Sequence, residues 1–517
     1  MIYSIGNLVN SAFGIFLVPL YTRKLRASEY AVLALLTLTF MLLTGILKFG
    51  LNQAFFHNYY ATQEASQRRR IVGTALLFLL VSTAVFTLLL YEIAPQLSAL
   101  IFKGDTTKDG LLRIIFLITF FEVLKSLPDS MLRAEFRSVR YSLLNIFSFV
   151  LEVGLITYFI LFVEASVQSV LTGKLISGVI EAALFYVTVR RDLSLKFSFA
   201  ELRGLLHFGV PLIFTTVATN LFFMSDRFFL EHFSGEREVG VYALANNIVG
   251  AVTMLATMPF AQVWTVMRFK VMHEEGAEEY YSRVLTYIVL LSTFLSLLAA
   301  AIGGDLVLLY AHRSYHLLPT LLPLLAIAVV LDSASRVMNV GITLRKRTIY
   351  GSLLTLAALA FNIALNFVLI PRYHSLGATI STLLSYLFFA GLRYGVSNYF
   401  FKVKYEWGRV ATAFSIGVAL IVLFYVIDYQ RGDAPQTLTL LFSMALKVLL
   451  ALSFPLILLA LRFYEPRELH RLAEARQQVF SFIKNRKRSE VFPMLLLCLS
   501  VLALLCHLLS VRGNLYS

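Results

Sequence analysis

MLRAEFRSVRYSLLN (residues 131–145) returns about 210 residues later as GITLRKRTIYGSLLT (341–355). In each copy a basic turn joins two apolar runs, each long enough for a membrane-spanning helix. Outward from this pair, apolar runs cover 2–22, 30–52, 71–94, 111–131, 141–163 and 167–189. They continue at 208–230, 239–264, 284–304, 317–340, 348–370, 376–401, 408–428 and 437–462. A further run, 491–511, follows a charged stretch. The chain therefore reads as an all-α polytopic membrane protein of about 14 transmembrane helices, with a 15th at the C-terminus as an open question. The expected division is a six-helix lobe at 1–203, a second at 204–404, two additional helices at 405–462, and a basic segment with the extra helix at 463–517. Because six is even, the two lobes are parallel repeats, an arrangement that places a substrate site at the repeat interface.

Composition supports the membrane assignment. Of 517 residues, 58% are hydrophobic and 15% charged, against about 25% charged in a typical soluble domain. The net charge of +15 is spread over short loops, which excludes a concentrated nucleic-acid-binding face. With the N-terminus in the cytoplasm, inside loops such as QRRR (67–70), RAEFRSVR (133–140) and RRDLSLK (190–196) hold roughly 27 Lys and Arg against about 9 outside. YTRKLRASEY (21–30) is the largest exception. MIYSIGNLVN (1–10) lacks a basic n-region and is expected to start a retained first helix, not a signal peptide. RELHRLAEARQQVFSFIKNRKR (467–488) reads either as a basic amphipathic helix on the inner membrane surface or as a solvated linker. Cys498 and Cys506 form no metal-ligand pattern and no evident disulfide.

Charge inside a span is costly, so each such residue needs a reason. Lys125–Asp129 and Asp332–Arg336 are four residues apart and suit ion pairs along one helix face. Lys48, Lys174, Arg393 and Lys447 have no opposite charge one turn away. They must snorkel, pair with another helix or face water, and snorkelling is the expectation for Lys48 and Arg393. Taken together, the excess of in-span basic residues points to an anionic substrate held by Lys and Arg in a water-filled cavity. The cationic candidates are Arg23, Lys48, Lys125, Lys174, Arg227, Arg336, Arg393 and Lys447. Asp226, Asp332 and Glu152, with the amides of Asn362 and Asn366, are the candidates for a coupling ion. Oxygen ligands suit sodium and a desolvated carboxylate suits a proton. No other cofactor is expected.

FFMSDRFFL (222–230) places Asp226 and Arg227 side by side in an apolar run. On a continuous helix from Phe208, Asp226 lies roughly 27 Å along, near the external end. Adjacent residues point about 100° apart, so one side chain is expected toward the lobe interior and the other toward a cavity. A second echo, RKLRASEYAVLALL (23–36) against DRFFLEHFSGEREVGVYALANN (226–247), sets Arg23 opposite Arg227 in the repeat. Both would then flank an external mouth, with interfacial anchoring as the alternative.

GIFLVPLYTRKLRASEYAVLALL (14–36), SDRFFLEHFSGEREVGVYALANNI (225–248) and NIALNFVLIPRYHSLGATISTLLSY (362–386) resemble, in order and spacing, the Wzx-type polysaccharide and O-antigen flippases. The resemblance covers about residues 1–460 and implies the multidrug/oligosaccharidyl-lipid/polysaccharide exporter fold. It also implies a multi-pass protein of the bacterial or archaeal inner membrane. Such a protein moves undecaprenyl-pyrophosphate-linked oligosaccharide by ion-coupled alternating access, in lipopolysaccharide or other surface polysaccharide biosynthesis. Membrane lipids, polymerase and glycosyltransferases are the implied partners. Related transporters place a cation site in the C-terminal lobe, which maps onto Asp226, Asn362 and Asn366. The segment after residue 463 departs from the pattern. A MurJ-like lipid II flippase shares the pyrophosphate chemistry, whereas a MATE-type drug exporter would favour acidic cavities. A glycosyltransferase would need acidic residues in the first external loop, where only Glu29 occurs, and a polymerase would need a large external loop.

Overall fold

The computed structural model describes residues 17, 20–21, 23–62, 64–135, 137–272, 274–310, 317–345, 347–431, 437–466 and 468. Among them no strand occurs. The helices are α1 (Ala27–Leu47), α2 (Leu51–Ala61), α3 (Ala65–Glu92), α4 (Ala94–Ile101), α5 (Asp109–Ala134), α6 (Ser138–Tyr158), α7 (Val167–Val189), α8 (Phe199–Met224) and α9 (Asp226–Ser234). They continue as α10 (Glu236–Val252), α11 (Met258–Lys270), α12 (Ala277–Tyr310), α13 (Leu318–Met338), α14 (Val340–Leu344), α15 (Thr348–Phe400), α16 (Trp407–Arg431) and α17 (Thr437–Ala460).

Eleven helices among the described residues are long and apolar enough to cross a membrane. One of them, α15, is two helices joined at His374, whose backbone lies at φ 53° and ψ −129°. This is where IPRYHSLG separates the two runs expected from the sequence. The bundle also includes α5, which carries Glu122, Lys125 and Asp129 midway. The expected first helix, 2–22, lies almost wholly outside the described residues, as do the amphipathic stretch from 469 and the run 491–511.

The chain forms two compact units. One is drawn from Met1–Leu244 and Thr355–Ser381, the other from Ala245–Leu309, His316–Leu354 and Thr382–Ser517. In the first unit Leu47, Phe55, Val123, Leu127, Phe185 and Leu205 belong to one buried core. In the second, Phe260, Trp264, Tyr281, Ile288 and Val337 do so. Packing and repetition divide the chain differently, because α8, the first described helix of the second repeat, packs on α1, α2 and α3. Glycine makes that approach close. A Cβ on Gly50 (φ 65°) would stand 2.2 Å from the Gly209 carbonyl oxygen, and one on Gly209 would stand 2.3 Å from that of Phe49. The left-handed turn at Phe49–Gly50 is also what separates α1 from α2.

In the seventh run α8 (to Met224) and α9 (from Asp226) meet at Ser225, whose backbone keeps helical angles (φ −60°, ψ −30°). The helical path therefore continues through Ser225, and Asp226 lies where the run from Phe208 is expected to carry it. Gly235 (φ 91°) then turns the chain into α10. There Gly240 lies on the Ala27 carbonyl, which a Cβ would approach to 1.8 Å.

In the second unit, the residues after α17 are clamped. Arg409 donates to Glu468 at 2.7 and 2.9 Å, the Tyr287 hydroxyl donates to it at 2.5 Å, and the guanidinium covers the Phe463 ring at 4.8 Å. Burial acts to raise the Glu468 carboxyl, but these hydrogen bonds hold it below its ordinary range. A folded value below the unfolded one, near 4.3, gives stabilisation that is present above that pH and lost as pH falls through the folded value. Glu468→Gln is thus expected to lower the apparent Tm at pH 7 by about 2–4 °C and to flatten its fall below about pH 4.3. Thermal unfolding of the detergent-purified chain checks this. An unchanged Tm with the wild-type acid slope would contradict the clamp.

Candidate functional site

Four groups of polar side chains occupy the apolar helices. The first surrounds Asp226, which is 2% exposed. Its Oδ2 accepts from the Tyr242 hydroxyl at 2.6 Å and its Oδ1 from Asn366 Nδ2 at 2.6 Å. Asn366 Nδ2 also donates to Asn362 Oδ1 at 2.9 Å, which accepts from Ser225 Oγ at 3.2 Å. Asn362 Nδ2 reaches Ser381 Oγ at 3.4 Å. The sequence accounts for this convergence. Asn362 and Asn366 are one turn apart and share a face of α15, and the His374 break returns Ser381 beside them. Tyr242 comes back on α10 through the Gly235 turn.

Asn366 Oδ1 is buried with no partner among the described residues. The oxygen and nitrogen of an amide exchange by a half-turn. That turn would bring two oxygens together, a repulsive arrangement unless a cation lies between them. Carboxylate, amide and hydroxyl oxygens are the donor set of a hard cation, so the group fits one.

The second group, also in the first unit, is a ladder of alternating charge. Lys48 Nζ lies 3.2 Å from Glu122, which meets Lys125 at 2.9 Å, and Lys125 meets Glu181 at 2.9 Å. Asp129, expected to pair with Lys125, pairs instead with Arg133 one turn on. Lys125 is drawn to carboxylates on its own helix and on α7. Lys48 pairs across helices and does not snorkel. Lys174 stands 3.9 Å from Glu152 and 4.7 Å from the Phe40 ring centroid.

In the second unit Arg336 donates to Asp332 at 2.9 and 3.1 Å, the pair expected from their spacing. Arg393 Nη1 donates to Ser335 at 3.0 Å and its guanidinium covers the Phe389 ring at 3.8 Å, again in place of snorkelling. Arg393 Nε has no partner among the described residues. Arg336, Arg393 and Asp332 together carry two cationic groups and one anionic group, a net attraction for anions. The fourth group is Lys447, fully buried and 2.8 Å from both Asp305 and Asp428. These two acids were not singled out in the sequence because neither is near Lys447 along the chain.

Asp226 and Arg227 are both buried, at 2% and 5% exposure, so the one expected to face the cavity or interface is enclosed like the one expected to face the lobe interior. Arg23, its counterpart in the repeat, is exposed. Among the described residues, no group of three His, Cys, Asp or Glu side chains suits a metal ion.

The family described as "Polysaccharide biosynthesis protein" matches residues 20–268. The chain is similar in structure to the lipid II flippase MurJ in an inward closed conformation, at 12% identity and TM-score 0.70, over 88% of this chain and 98% of that one. It is similar to an inward-facing multidrug resistance MATE family transporter of the MOP superfamily, at 17% identity and TM-score 0.62, over 77% and 94%. It is also similar to a MOP superfamily transporter from Pyrococcus furiosus, at 16% identity and TM-score 0.51, over 77% and 93%. No curated protein matches by sequence. The fold is therefore the one these transporters share. The resemblance to a polysaccharide-biosynthesis family is borne out over residues 20–268, and the chain is a multi-pass membrane protein.

The buried Lys447 triad yields a stability test. Removing one partner of a buried ion pair typically costs about 3–5 kcal/mol, because the other charge is left uncompensated. Lys447→Met is expected to lower folded yield and apparent Tm sharply, and Lys447→Met combined with Asp305→Asn to recover part of the loss. Size-exclusion profiles and Tm of the purified variants check this. A single variant as stable as wild type would contradict the triad.

Proposed function

We propose that this chain, whose residues 20–268 carry the polysaccharide-biosynthesis family pattern, is a flippase. It moves an undecaprenyl-pyrophosphate-linked oligosaccharide from the inner to the outer leaflet of the cell's inner membrane, for surface polysaccharide assembly. Transport proceeds by alternating access between the two six-helix repeats and is coupled to a cation. The reading is carried by the placement of basic side chains inside apolar helices of both repeats, in a chain of this family. The pyrophosphate is the part of such a substrate that needs cations, and Lys48, Lys125, Lys174, Arg336 and Arg393 are partly exposed and within reach of exchangeable partners. Lys447 is committed to two carboxylates and we assign it to stability. Arg23 is kept as an entry-side attractor.

For coupling, the Asp226–Asn362–Asn366 group supplies the cation site. Glu152 and Asp332 already face Lys174 and Arg336, which leaves Asp226 as the coupling carboxylate. A lipid II flippase would use the same headgroup chemistry, and the family match favours polysaccharide intermediates. A MATE-type exporter of cationic drugs would favour acidic and aromatic cavity residues, and it fits poorly with the partly exposed Lys48, Lys174, Arg336 and Arg393. Transport needs no bond-making centre, and the polymerase and glycosyltransferases remain proposed neighbours in the pathway.

The test is complementation in cells lacking their own polysaccharide flippase, with the chain and its matching glycan pathway supplied. Lys174→Ala and Arg336→Ala are expected to cut surface polysaccharide at least about tenfold, equivalent to roughly 1.4 kcal/mol of lost transition-state binding. Lipid-linked oligosaccharide should accumulate on the inner leaflet while membrane protein level holds. Wild-type export by both variants would sink the cationic headgroup reading.

A further inference from the structure

Two buried ionisable side chains have no place in the scheme so far. Arg227 and Glu231, 5% and 4% exposed, sit one turn apart on α9. Arg227 Nε and Nη1 and Glu231 Oε2 have no hydrogen-bond partner among the described residues. A buried guanidinium with two unpartnered nitrogens is costly unless charge nearby compensates it. The compensation available to Arg227 is electrostatic, from the hydroxyls of Tyr242 and Tyr30 and then from Asp226. Asp226 is its neighbour in sequence, about 3.8 Å away at Cα. Asp226 thus has a resident positive charge before any cation arrives.

Glu231 completes the arrangement. It stands four residues after Arg227, the spacing at which an acid and a base on one helix meet, yet the two are not paired. The other charges near Glu231 are Lys103, Lys108 and Glu236. Lys108 is committed to Asp105 and Glu236, and Lys103 is exposed. Arg227 therefore has Asp226 beside it in the chain, and Glu231, with an oxygen to spare, stands one turn further along α9.

We propose that Arg227 is a built-in competitor of the coupling cation at Asp226, with Glu231 as its alternative partner. Without the cation, the guanidinium balances Asp226. When a monovalent cation takes the Asp226 oxygens, Arg227 turns one helical turn onward and pairs with Glu231. Asp226, Arg227 and Glu231 carry one net negative charge, so one monovalent cation brings the buried set to neutrality and a divalent cation overshoots it. The two Arg227 positions form a two-state element that the cation biases, on the short helix that joins α8 to α10. The inference rests on the Asp226 group binding a cation as proposed above.

The test is cation binding by the full-length purified chain, read as thermal stabilisation and as radiolabelled sodium bound, with choline holding ionic strength constant. A ligand that binds only the folded state stabilises it in proportion to ln(1 + [L]/Kd), so the midpoint reports Kd. Arg227→Gln is expected to tighten sodium binding at least about tenfold and Glu231→Gln to weaken it by a similar factor, while Arg227→Lys stays near wild type; these shifts correspond to single-charge electrostatic effects. The opposite signs separate this device from general damage to the fold. Sodium binding by wild type with no tightening in Arg227→Gln, or no weakening in Glu231→Gln, overturns the competitor assignment alone. Absence of any monovalent-cation response in wild type, with Asp226→Asn indistinguishable from it, overturns the cation reading of the Asp226 group and this inference with it.

Discussion

The apolar interior of a bilayer offers an ion nothing to replace its water, so every charged side chain in a spanning helix must find its counter-charge within the protein. Much of the architecture follows from this constraint. Lys48, Glu122, Lys125 and Glu181 satisfy it as a ladder between helices, and Lys447 satisfies it twice over with Asp305 and Asp428. Such pairs contribute little net stability, since desolvation offsets most of the attraction. They are specific, however, because a helix that slides by one turn loses its partner. Their value to a transporter lies in that bistability. A pair that is satisfied only in one arrangement can be opened by a ligand that offers a better partner.

Backbone geometry decides where these pairs form. The left-handed turn at Phe49–Gly50 ends α1 just beyond Lys48, and the contact with Gly209 holds α8 against it. In the same unit Asp226 follows Ser225, where α8 gives way to α9. Gly235 and Gly240 then allow Tyr242 to return to it. The turns at Gly235 and His374 thus gather the polar group around Asp226, and the regular helices supply the apolar wall that makes its charge matter.

How much of this was legible beforehand depends on the range of the interaction. Helix spans follow from local hydropathy, and Val167–Val189 matches the expected run at both ends. Asp332–Arg336 follows from its four-residue spacing, and Asn362 with Asn366 from theirs. Lys125 shows the limit. The same spacing rule pairs it with Asp129, but Glu181 on a different helix competes successfully, and Arg133 takes Asp129. Partners brought from far along the chain, such as Asp305 for Lys447, leave no periodic signal. FFMSDRFFL reads as one helical run, and the helical angles kept at Ser225 agree with that reading.

Satisfied charge and available charge together underlie the proposal that the chain holds an anionic headgroup and a small cation in the membrane. The central claim is that the oxygens of Asp226, Asn362 and Asn366 receive that cation. The most direct measurement is the anomalous signal of thallium(I), a heavy stand-in for a monovalent cation, in crystals of the purified chain. A peak bounded by the Asp226 carboxylate and the amide oxygens of Asn362 and Asn366, displaced by excess sodium and absent in Asp226→Asn, is the predicted result. A peak elsewhere that leaves these three residues bare, or one unaffected by Asp226→Asn, would contradict it.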